Sequence, residues 1–248
     1  MKLSRILGVV CLLVLSIPGW SATPPTVTIS VDASMAPRKI FHATLNIPAS
    51  AGDLTLYYPK WIPGEHAPDG PVVDLAGLKF RAGGTSLNWR RDLLDGFTIH
   101  VEVPAGVNEI DGELDFLSPA TFESGFSAGS SATDKMAVIS WNQVLLYPKG
   151  WKSDEINYSA SLKLPAGWKF GTALPLVDSA VRDYKTGEAT HYFKPVSLTT
   201  LVDSPVIAGS HFRTIKLTES AAPSFQIDMV SDTEAALQMS PDQITNCV

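Results

Sequence analysis

The chain has 248 residues, with 19 Lys and Arg against 25 Asp and Glu and a formal net charge of −6 at pH 7. Nucleic acid is therefore excluded as a partner, because a phosphate backbone is gripped by a surplus of cations. A hydrophobic content of 45% is ordinary for a folded chain, and the two cysteines, Cys11 and Cys247, offer no internal framework of disulfides.

A basic start (Lys2, Arg5), an apolar run from Ile6 to Ile17, a break at Pro18-Gly19 and small residues at Ser21 and Ala22 read as a secretory signal peptide over residues 1–22. A membrane span needs about twenty apolar residues, and this run stops short of that. An exported chain with no stable membrane anchor is expected. Cleavage would discard Cys11, Lys2 and Arg5, leaving 17 basic residues against 25 acidic ones and a formal charge of −8. Stability must then come from the core of residues 23–230.

Apolar and polar residues alternate with period two at Val27, Ile29, Val31, then at Phe41, Ala43, Leu45, Ile47, and at Leu54, Leu56, Tyr58. The pattern returns at Phe97, Ile99, Val101, Val103, at Ile110, Gly112, Leu114, Phe116, at Ile156, Tyr158, Ala160, Leu162, Leu164, and at Phe225, Ile227, Met229. Period two means strands with one buried face. Two matching turns, Pro104-Ala-Gly106 and Pro165-Ala-Gly167, each end such a run, and helical periodicity is nearly absent. The fold class is all-β and sandwich-like, with two subdomains conceivable on either side of Gly150.

Between the third and fourth runs lies Trp61-Ile-Pro-Gly-Glu-His66, where proline and glycine impose a sharp reversal. Residue types favour Trp61 packed in the core with Glu65 and His66 solvated. Glu65, His66, Asp69 and Asp74 are the local candidates for metal ligands, but one histidine among carboxylates is a poor zinc set, and no metal is expected here.

Residues 124–134 are rich in Gly, Ser and Ala and read as a surface loop. They contain Gly125-Phe-Ser-Ala-Gly129, which matches the nucleophile elbow of serine hydrolases, with Ser127 as nucleophile and Asp178 or Asp183 with His191 or His211 as partners. The elbow requires a strand-to-helix turn, and the flexible stretch after Ser127 leads into a strand instead, so a hydrolase is not expected. Trp141, Tyr147, Trp151 and Trp168 read as core and turn anchors, with a stacking platform for sugar or peptide as the second reading. Asn157-Tyr-Ser159 fits a glycosylation acceptor but lies within a strand. In the apolar stretch from Leu201 to Phe212, Asp203 and His211 read as satisfied hydrogen-bonding groups. After Ser231, Asp232 or Thr233 can cap the start of a helix carrying Glu234 and Ala235.

Three segments carry a family resemblance: the Trp-x-Pro-Gly core at Trp61, Trp141-Asn-Gln-Val-Leu-Leu-Tyr-Pro, and Leu201-Val-Asp-Ser-Pro-Val-Ile-Ala-Gly-Ser-His-Phe. Together they resemble the N-terminal domain of the glycyl-aminopeptidase family of zinc metallopeptidases, family sixty-one, whose members place a thermolysin-like catalytic domain, and often a PDZ domain, after it. The resemblance implies an exported aminopeptidase of the periplasm or cell envelope, with zinc in the catalytic domain. The His-Glu-x-x-His of that domain is not in this sequence, since no two of His42, His66, His100, His191 and His211 are four apart. The expectation is a non-catalytic domain that partners the catalytic half, with residues 231–248 as the truncated start of that half. Trp61, Glu65 and His66 would then face the shared cleft and help to bind the peptide substrate. A stand-alone exported module binding a peptide, glycan or protein is the alternative.

Overall fold

The computed structural model describes residues 23–62, 64, 66–119, 132–177, 180–217, 225–240 and 242–243. The fold is all-β, with strands β1 (Thr26–Asp32), β2 (Ile40–Pro48), β3 (Gly52–Tyr57), β4 (Leu75–Ala82), β5 (Thr85–Ser86), β6 (Trp89–Arg91), β7 (Thr98–Val103), β8 (Glu109–Leu117) and β9 (Met136–Ile139) in the first part. Beyond them come β10 (Tyr147–Pro148), β11 (Asn157–Leu164), β12 (Lys169–Gly171), β13 (Val181–Arg182), β14 (Ala189–Tyr192), β15 (Val196–Ser197), β16 (Val206–Gly209), β17 (His211–Lys216) and β18 (Gln226–Ser231). Among the described residues one short α-helix has defined bounds, α1 (Leu198–Val202), and it is capped by Ser197, whose Oγ accepts from the backbone N–H of Thr200 at 3.2 Å.

The largest sheet runs β13-β14-β11-β1-β2-β8-β4-β5, with β15 also on β11. Its inner face is set by register: Ile29 lies between Ala160 and Leu45, Val31 between Leu162 and Ala43, and Phe41 opposite Phe116. The Phe41 and Phe116 rings stack with centroids 6.4 Å apart. A second sheet, β10-β3-β7-β6, turns Leu56, Ile99 and Val101 into the same core. Each such side chain contributes about 1.5–3 kcal/mol by leaving water, so the alternation read from the sequence is what holds the two sheets face to face.

The chain crosses between sheets at the two Pro-Ala-Gly turns. The Pro104 carbonyl accepts from the Val107 N–H and the Pro165 carbonyl from the Trp168 N–H, and Gly106 and Gly167 sit at φ 83° and 78°. Both are type II geometry, for which glycine at the third position is required. One corner leads from β7 into the large sheet, the other from β11 into a third sheet, β12-β16-β9. Strands from both sides of Gly150 share the large sheet, and β1 pairs with β11 in parallel along its whole length, so the sheets show no division at that point.

Two elements differ from the sequence reading. The alternation at Phe225, Ile227 and Met229 does form a strand, β18, but its hairpin with β17 lies on the outside and Phe225 is 57% exposed. The expected helix start after Ser231 is one 3-10 turn, Glu234–Leu237, and it is Thr233 that caps it by accepting from the Ala236 N–H.

Candidate functional site

At one end of the second sheet the chain makes two neighbouring loops. β3 ends beside Tyr58, whose buried hydroxyl donates to the Gln143 carbonyl at 3.0 Å. Burial pushes that phenol well above the ordinary range, and Asp74 adds to the effect. The loop then closes on itself, because the Gly70 N–H donates to the Lys60 carbonyl at 3.0 Å. Any other residue at Gly70 would force a shift, since a Cβ there would lie 2.0 Å from the Pro59 carbonyl oxygen and 2.9 Å from the Phe97 ring.

Lys60 ties this loop to the next one. Its Nζ lies 3.2 Å from Asp95 Oδ1 and 5.2 Å from the centre of the Phe97 ring. Burial works to raise the Asp95 carboxyl, but hydrogen bonds from Lys60, Thr98 and the Phe97 N–H outweigh it and hold the group below the usual carboxylate range. Asp92 shapes the turn between β6 and β7 by accepting from the N–H groups of Leu94 at 2.8 Å and Asp95 at 3.0 Å. Those bonds, with His100 Nε2 at 3.2 Å, keep its carboxyl low. The turn so fixed points Leu93 and Leu94 into solvent, 96% and 99% exposed.

Beside these loops is a cleft of about 340 Å³ lined by Pro59, Trp61, Tyr147, Trp151, Ser153, Leu198, Thr199 and Val202. Its wall is aromatic and aliphatic, with no ionised side chain. Two of the hydroxyl side chains on it bond each other, Thr199 Oγ1 donating to Ser153 Oγ at 2.9 Å. Tyr147 is braced by Tyr57, their ring centres 5.6 Å apart. Such a surface suits the apolar part of a chain laid against it.

The structure corrects the reading of Trp61 as a core residue: it is 64% exposed. The closed loop carries it outward, away from the core that Tyr58 fills. His66 is exposed near the tip of the same loop, and Glu65 lies outside the described residues. Asp69 is exposed and Asp74 half-buried, its carboxyl raised by that burial. Among the described residues no three His, Cys, Asp or Glu side chains are grouped to hold a metal ion.

The four aromatics divide. Trp141 is wholly buried, its Nε1 donating to the Ser204 carbonyl at 3.0 Å, whereas Tyr147 and Trp151 line the cleft and Trp168 lies at another one. Ser127 and Asp178 lie outside the described residues; Asp183 accepts from the Lys185 N–H within its own turn, and His191 packs on Phe170. Asp203 is exposed, and His211 Nδ1 lies 3.2 Å from Glu234 Oε2. Sequence reasoning missed Leu93 and Leu94. The signal was there in Asp92-Leu-Leu-Asp-Gly96, a turn whose centre is apolar where turn chemistry calls for polar residues.

The three larger β-sheets share one core, and the loops just described gather at the end of one of them. The family described as the Peptidase M61 N-terminal domain matches residues 28–210, and the chain belongs to it. Among solved structures it is similar to an aminopeptidase N family protein from Idiomarina loihiensis, with a TM-score of 0.65 and 14% identity over 83% of this chain and 32% of that one. At that identity the likeness speaks for the fold, and this chain spans about a third of its structural relative. No curated protein matches it.

Proposed function

We propose that this chain serves as the non-catalytic N-terminal domain of an exported zinc aminopeptidase, packing against the catalytic domain and forming one wall of its peptide cleft. The observation that carries the reading is the apolar end of the second sheet. Trp61, Leu93 and Leu94, together with Val73 at 89% exposure, reach solvent on neighbouring loops. Large side chains so grouped mark an interaction surface, and the loops that bear them are pinned by Gly70, Lys60 and Asp92 rather than left loose. Trp61, Glu65 and His66 would meet the substrate peptide from this side, while zinc and the general base belong to the catalytic half.

Mixing the purified chain with the separately produced catalytic half tests this. The chain alone should not hydrolyse a glycyl or alanyl p-nitroanilide. The mixture should form a one-to-one complex that does, and Leu93→Glu with Leu94→Glu should weaken it. A complex indifferent to both substitutions would remove this surface from the interface. The aromatic cleft supports a second reading, a stand-alone binding module, for which no complex would form and the chain would stay monodisperse at high concentration.

A further inference from the structure

A second surface, far along the chain from the Trp61 loop and independent of it, offers strand pairing. The third sheet ends on β12, which among the described residues pairs with β16 alone, so its other side is an edge without a strand partner there, although the β17–β18 hairpin packs close to it at Gly171. Three consecutive residues at that edge, Trp168, Lys169 and Phe170, line a cleft of about 480 Å³ together with His191, Phe212 and Thr214. An open edge presents unpaired N–H and C=O groups to any extended chain that can reach it.

The side chains around the edge set what can bind. Phe170 packs on His191, ring centres 4.5 Å apart, and on Phe193 at 6.3 Å, so the aromatic floor is braced from behind. Burial, and then the charge of nearby Arg182, hold the His191 ring below its ordinary value and favour its neutral form. The positive charge in the lining is therefore that of Lys169, with Arg182 beside it near His191; both are exposed, and among the described residues neither is in an ion pair. The carboxylate nearest β12, Asp228, lies against Gly171 and is already engaged, accepting from Thr214 Oγ1 at 2.7 Å and from Gln226 Nε2 at 2.9 Å. Neutral donors leave Asp228 charged, so on a chain of net charge −6 the groove is aromatic with Lys169 and Arg182 set against that one engaged carboxylate. A lysine on an edge strand deters pairing with apolar strands, and the same charge admits an acidic one.

We propose that this cleft binds an extended acidic peptide segment, which adds to β12 as a fourth strand with an apolar side chain over Trp168, Phe170 and Phe212 and carboxylates at Lys169 and Arg182. The carboxylates are those of acidic side chains, and free chain termini are not required.

The probe is a fluorescent peptide capped at both ends, acetyl-Glu-Val-Tyr-Val-Glu-amide, titrated with the intact chain and followed by anisotropy. Saturable binding is expected, weakened roughly tenfold by Lys169→Glu and less by Lys169→Gln, and falling with added salt. The counterpart with Lys for Glu should not bind. Both substitutions fall on an exposed side chain, so thermal melts should match the parent. Backbone amide shifts on binding should centre on residues 168–171. No saturable binding, equal affinity for the basic peptide, affinity untouched by Lys169→Glu, or shifts centred on Tyr147 and Trp151 would each overturn the proposal.

Discussion

Gly70→Ala is the substitution that most directly probes how the Trp61 loop is held. The added Cβ would stand 2.0 Å from a backbone oxygen, that of Pro59, and a carbonyl cannot swing away as a side chain tip would. Either the strand end at Pro59 moves or the loop opens and the Gly70 to Lys60 hydrogen bond is lost. Forced overpacking costs about 1–3 kcal/mol and a lost hydrogen bond about 1 kcal/mol, so a destabilisation of roughly 2–4 kcal/mol is expected. With a urea dependence of about 1–3 kcal/mol per molar, the midpoint should fall by on the order of 1 M. Gly64→Ala is the control. It lies in the same loop at φ 84° with nothing within 4 Å of its Cβ position, so only the left-handed backbone is strained, at about 1–2 kcal/mol. Urea unfolding followed by tryptophan fluorescence reads both. If Gly70→Ala unfolds within about 0.5 kcal/mol of the parent, or no lower than Gly64→Ala, the closed loop is not the constraint described.

Tyr158→Phe should cost about 1–3 kcal/mol in the same assay, because the buried hydroxyl donates to the Leu146 carbonyl at 2.8 Å and removing it leaves an unmet acceptor. Leu93→Ser with Leu94→Ser should leave the unfolding free energy within about 0.5 kcal/mol of the parent, since neither side chain is buried; a large loss would show that the turn packs on the core after all. For Asp32, burial acts to raise the carboxyl, yet hydrogen bonds from Ser34 and the Lys163 ammonium at 3.1 Å prevail and lower it. A depressed folded value means stability present above the unfolded carboxylate range and lost as pH falls through the folded value. The stability gap between the parent and Asp32→Asn should thus be widest near neutrality and close below about pH 4; a gap that does not change with pH would refute the assignment.

What period-two alternation reveals is which residues face inward, and it did so along β1, β2, β7, β8 and β11 because each has one face on the core. It does not reveal depth. Phe225, Ile227 and Met229 alternate as well as Val27, Ile29 and Val31, yet the outer hairpin finds too little above it to be buried. Trp141-Asn-Gln143 was illegible for the opposite reason. A wholly buried 3-10 turn carrying an amide pair has no periodic signature, and the structure satisfies its backbone through partners distant in sequence, such as the Tyr58 hydroxyl. Trp61 misled because residue type reports average burial, whereas its position follows from a loop closure that depends on the missing side chain of Gly70, nine residues later.

The parallel pairing of β1 with β11 governs the order in which this domain can form. Thr26 meets Asn157 and Asp32 meets Lys163, partners separated by 131 residues, and β1 sits inside the sheet with β2 on its other side. Antiparallel pairs such as β2 with β8 or β3 with β7 enclose less chain and can form earlier, but none of them fills the vacant side of β1. During synthesis that strand waits, one edge bare, until Leu164 has emerged. A growing chain arrested short of that residue presents Val27, Ile29 and Val31 unprotected, which makes the interval between the first and eleventh strands the period in which aggregation competes most strongly with folding.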